Sequence, residues 1–124
     1  MTDAQSAQTA LDKLIEAVEA GSVRNGVSGL KAFEDMARAF LDLPSSNAAF
    51  RAYHGSLDAA LALHEALLPG RTLSVGQNAH HGDWNAWVRY AEDGEILDEY
   101  TAASDTAGRS LLLAILRAYR SVQA

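Results

Sequence analysis

The chain has 124 residues, a formal net charge of −6 and no cysteine. That length suits one domain with a core of its own, and the absence of thiols excludes disulfides, thiolate zinc sites and cysteine nucleophiles. The acidic balance argues against nucleic-acid binding, which needs a basic footprint, and the carboxylates are scattered rather than massed into a block that could imitate one. No apolar run approaches the roughly 20 residues of a membrane span. The polar start MTDAQSAQTA lacks the basic-then-apolar pattern of a secretion signal, so the cytoplasm is the expected location.

Leu11, Leu14, Ile15 and Val18 form the first helical stripe, with Asp12, Lys13, Glu16 and Glu19 on the other side and Gly21 as its stop. Residues 21–29, GSVRNGVSG, read as a flexible connection. Their glycine spacing does not match a phosphate loop, which also requires Gly-Lys-Ser/Thr after a strand. A second helix is expected over about 29–43, capped by Ser28, with Leu30, Phe33, Met36, Ala37 and Phe40 on its apolar face. Pro44 and Ser45-Ser46-Asn47 read as its end, and residues 47–54 as a loop pinned to the core by Phe50 and Tyr53.

The third helix has the clearest signals. Ser56 is a cap, Asp58 places a carboxylate in the first turn, and Pro69-Gly70 is a stop. Leu57, Ala60, Leu61, His64, Leu67 and Leu68 make its stripe. His64 has two readings: a buried ligand or proton carrier, or a histidine at the core edge with one nitrogen bonded to a neighbour.

Beyond Gly70 the period changes from helical to alternating. Leu73 and Val75 alternate with Thr72 and Ser74, residues 76–83 read as a turn, and 84–91, WNAWVRYA, as the strongest strand. Glu92-Asp93-Gly94 is a tight hairpin turn, and 95–102 pairs back. Trp84, Ala86, Val88 and Tyr90 share one sheet face and Trp87 takes the other. Bulky aromatics on both faces predict that both are covered, the second by the N-terminal helices or by another copy of the chain. Ser104 or Asp105 caps a last helix bearing Leu111, Leu112, Ile115, Leu116, Tyr119 and Val122. Arg109, Arg117 and Arg120 on that helix read as a solvated face rather than a basic patch.

The order is α-α-α-β-β-β-α. The expected class is α+β, a three-stranded antiparallel meander flanked by helices in an α/β/α sandwich-like arrangement. Residues 1–124 form one domain, with 1–43 as a helical N-terminal extension packing on a 52–122 core.

Two residue sets merit testing as chemistry. His80, His81 and Asp83 offer metal-ligand types, with Asp98 or Glu99 as helpers, although adjacent ligands diverge and a polar hairpin loop accounts for them better. His54, Ser56 and Asp58 offer the residue types of a triad, yet their spacing suits helix capping better. No carboxylate pair sits in an apolar setting as a general acid and base would.

The segments LDKLIEAVEAG (11–21), AYHGSLDAALALHEALLPG (52–70) and ASDTAGRSLLLAILRAYRS (103–121), with the aromatic strand between the last two, resemble the phage alpha-beta-alpha sandwich domain family. The resemblance covers most of the chain from Leu11 onward. Members often carry Trp after the Pro-Gly, where this chain has Arg71. The resemblance implies a compact α/β/α fold and a phage or prophage origin, and it carries over no catalytic residues.

Together these readings predict a non-enzymatic accessory protein without a cofactor, working in the bacterial host cell. It would bind a host or phage protein through Trp84, Trp87, Tyr90 and Tyr100, as a candidate homo-oligomer. Its sharper form is an inhibitor of a host defence system, anti-CRISPR-like. The alternatives are a small-molecule- or metal-dependent activity at His80, His81 and Asp83, and a minor virion or assembly component.

Overall fold

The computed structural model describes residues 3–24, 26–78 and 82–123, with side chains from Gln8 onward. Its elements run α1 (Asp3–Ala20), α2 (Gly26–Ala37), α3 (Leu43–Tyr53), α4 (Leu57–Leu67), β1 (Thr72–Gln77), β2 (Trp84–Glu92), β3 (Glu95–Ser104) and α5 (Ala107–Gln123). The class is α+β, with an antiparallel meander in the order β1-β2-β3.

Four helices precede the sheet, one more than the periodicity predicts. The second helix ends at Ala37, and the stretch expected to be a loop is α3. Pro44 does not end a helix; it lies in the first turn of one, where its missing N–H costs nothing. Asp42 is the cap, its Oδ1 accepting from Ser45 N at 2.8 Å. Phe50 and Tyr53 do reach the core, but from this helix. Phe50 meets Phe33 edge-on at 5.7 Å, and the Tyr53 hydroxyl accepts from Val23 N at 3.3 Å. The Ser56 cap is as read, accepting from Ala59 N at 3.1 Å. The last helix is capped instead by Thr106, whose hydroxyl accepts from Arg109 N at 3.1 Å.

The hairpin between β2 and β3 turns on Asp93 (φ 53°) and Gly94 (φ 80°). Two consecutive positive φ values match the right-handed twist of the strands they join.

The hub of the molecule is α5. Leu111, Leu112, Ile115 and Leu116 are fully buried, and so are Ser110, Ala114 and Ala118. A helix buried on all sides needs elements on all sides. Here β2 and β3 lie against it on one side, and α1, α3 and α4 on the other. Burying each of those Leu and Ile side chains contributes roughly 1.5–3 kcal/mol. Leu11, Leu14 and Val18 of α1 join the same core.

The layers therefore stack as sheet, α5, then the remaining helices. Among the described residues, α5 is the helix packed against the sheet; α1 rests on α5 and α2, and α2 on α3. The expected second cover from the N-terminal helices is not there. Those helices are drawn to the far side of α5, where its all-round apolar surface still requires burial. Among the described residues, the other face of the meander is left open.

Candidate interaction surface

The strand register sets out the open face in rows. Thr72, Arg89 and Glu99 make one row, Ser74, Trp87 and Thr101 the next, and Gly76, Asn85 and Ala103 the third. Trp87 lies at the centre, half-buried among small neighbours. The Arg89 guanidinium stacks 3.7 Å from the centre of its ring. Arg89 Nε also donates to Glu99 Oε2 at 2.5 Å. Stacking of this kind contributes about 0.5–1 kcal/mol at an exposed site, and the Glu99 carboxylate pairs with the same guanidinium. The face thus presents an aromatic, a cation and an anion beside Thr72, Ser74 and Thr101.

The four aromatics expected to engage a partner are divided between the two faces, as the alternation along β2 predicts. Trp84, Tyr90 and Tyr100 share the face of Ala86, Val88 and Ala102, which is the α5 side. Trp84 is held there at its backbone: Ser110 Oγ donates to its carbonyl at 2.8 Å, with the Thr106 carbonyl at 2.9 Å as alternative acceptor. Tyr100 packs against the core. Tyr90 is 37% exposed, with the Arg71 guanidinium 5.2 Å from its ring centre. Trp87 alone stands on the open side.

Neither chemical set is assembled among the described residues. His80 and His81 lie outside them. Asp83 is exposed, and its carbonyl accepts from Asn78 N at 2.7 Å. The two carboxylates expected to help are committed elsewhere, Asp98 to Arg71 and Glu99 to Arg89, and alternation puts them on opposite faces. Among the described residues no group of three or more histidines and carboxylates could hold a metal ion. His54 Nε2 lies 3.3 Å from the Arg24 carbonyl, its ring edge-on to Phe50 and Tyr53. Ser56 is occupied as a cap and Asp58 is in the first turn of α4, so no triad forms. Three surface hollows lie along α2 and α3, and no histidine lines any of the three.

His64 is only 6% exposed, and its Nε2 has no hydrogen-bond partner. Burial pulls its pKa below the usual histidine value, Arg71 lowers it further, and Glu65 opposes them.

The arginines of α5 are partly exposed, as a solvated face would be, but each is also paired. Arg117 Nη2 donates to Glu19 and Arg120 Nε to Asp12, both at 2.5 Å, which ties α5 to α1. Arg109 stacks 4.0 Å from the Tyr53 ring centre, donates to the Tyr53 carbonyl at 3.2 Å and pairs with Asp105. No sequence signal marks these links, because most of the partners lie far away in the chain.

Comparison of the chain with protein-family models, with curated proteins and with solved structures found no match in any of the three.

Proposed function

We propose that this chain is a non-enzymatic binding protein that engages another protein with the open sheet face centred on Trp87. One observation carries the reading: Trp87, stacked by an Arg89 that pairs with Glu99, stands on a sheet face against which, among the described residues, no helix makes its main packing. Aromatic and arginine side chains held in advance lose little entropy on binding, which is why they dominate interface energetics. The commitment of Asp98 to Arg71, of Glu99 to Arg89 and of Ser56 to helix capping adds support. On the resemblance of residues 11–21, 52–70 and 103–121, the proposal includes a phage or prophage origin, action in the cytoplasm of a bacterial host, and, in its sharper form, inhibition of a host defence system.

The test compares wild type with Trp87→Ala and with Arg89→Glu as immobilised baits in host-cell lysate. The expected result is a partner retained by wild type and lost by both variants while their melting temperatures stay close to that of wild type. Equal recovery by all three would remove this face from the proposal.

A further inference from the structure

The meander has two free edges, and they differ in kind. The β3 edge is obstructed. Arg117 Nη1 reaches over to donate to the Thr101 carbonyl at 2.6 Å, occupying an acceptor that an added strand would use. Glu95, Asp98 and Glu99 add charge along the same strand, and the ladder to β2 breaks register between Tyr90 and Ala91. Charges, side chains laid over the backbone and bulges are the usual devices that keep an edge from pairing.

The β1 edge carries none of them. Thr72–Gln77 reads TLSVGQ, without charge or proline, and its ladder to β2 runs without a shift. Among the described residues, the elements packed against β1 are β2 and α5. Leu73 and Val75 point toward the α5 side and pack on the core, yet each is only partly buried, because nothing continues the sheet beyond them.

We infer that β1 pairs antiparallel with β1 of a second copy of this chain, joining two meanders into one six-stranded sheet about a two-fold axis. Two constraints select the occupant and the register. First, residues opposite each other must point to the same face, so the pairing must centre on a residue rather than between two. Centring on Ser74 sets Leu73 opposite Val75 of the second copy, and Val75 opposite its Leu73, so that both half-buried pairs are covered. Centring on Val75 would set Leu73 opposite Gln77 instead. Second, two copies each carrying a net charge of −6 repel, and β1 is a strand on which they can meet without opposing carboxylates. Such an interface is isologous, the commonest form of closed assembly. Both open faces then lie on the same side of the joined sheet, with two Trp87 side chains related by the axis. This uses the edge of the sheet rather than its face, so it stands or falls separately from the binding surface proposed above.

The test is sedimentation equilibrium of the full chain over a range of concentrations, with two variants at the axis. Wild type is expected to associate reversibly to a dimer. Ser74→Lys opposes like charges at the axis and is expected to weaken association by roughly tenfold or more, with the melting temperature of the dilute monomer unchanged. Ser74→Cys introduces the chain's single thiol. Opposed Cβ atoms in an antiparallel pair lie about 4.5–5.5 Å apart, so mild oxidation is expected to give a covalent dimer rapidly. A monomeric mass for wild type at every concentration would overturn the inference. So would a dimer indifferent to Ser74→Lys, or a dimer in which Ser74→Cys does not crosslink.

Discussion

Along β2, Ala86 and Val88 are buried against α5, whereas Trp87 and Arg89, each a single residue away, stand on a face against which, among the described residues, no helix makes its main packing. The backbone is the same strand, and the ladder hydrogen bonds are shared. The difference lies in what faces the side chains. One side touches the helix at the centre of the core, so its residues contribute to folding. The other side touches solvent, so its residues are free to serve binding at small cost to stability. The open face is therefore where a partner can act without unmaking the protein.

Substitutions that separate stability from binding sharpen this contrast. The largest effect belongs to the helix behind the sheet: Leu112→Ala leaves a cavity beside fully buried neighbours and is expected to cost about 3–4 kcal/mol, read as a shift in urea unfolding. Val88→Ala, on the inner face, is expected to cost about 2 kcal/mol. A smaller effect has the opposite sign. His64→Leu removes a buried nitrogen without a partner and is expected to stabilise by about 1 kcal/mol near neutral pH.

His64 also gives the inner side a pH signature. Its pKa in the folded protein lies below that of the unfolded chain, about 6.5. The unfolded state therefore takes up the proton first as pH falls. The contribution is full above that pH and is lost as pH drops through 6.5 toward the folded value. Urea midpoints measured on both sides of this window should show the loss in wild type, and His64→Leu should abolish that component. An identical pH slope in the variant would mean that His64 is not its source.

The smallest stability effect is expected at Trp87. Trp87→Ala removes the stack with Arg89 and is expected to cost no more than about 1 kcal/mol. A cost as large as that of Val88→Ala would break the contrast, since it would make Trp87 a structural residue.

Much of the fold was legible in the residues. The Ser56 cap, the Asp93-Gly94 turn and the alternation of β2 are local signals, each set within a few positions; the stripe of α4 was read in part, since Leu61 is exposed while Ala59 and Leu63 are buried. The α3 helix was missed at one residue. Pro44 reads as a stop when taken with the apolar face before it, and as a first-turn proline when Asp42 is seen as a cap. The signal was present, but two local rules competed for it. The candidate surface was half legible. Alternation separates Trp87 from Trp84 and Tyr90, but nothing in the residues says which face a helix will take.

By itself, then, the sequence determined where most of the helices and strands lie, which of their residues are apolar, and that β-structure follows a helical first half. These are consequences of hydrogen bonds and side-chain periods spanning a few residues. Only the tertiary structure decided that α5 is the hub, that Arg117 and Arg120 reach Glu19 and Asp12 on α1, that His64 is buried without a partner for Nε2, and that one sheet face is left open. Those outcomes depend on how several apolar surfaces compete to cover one another. That competition is settled by total burial across the chain and leaves no mark at any single position.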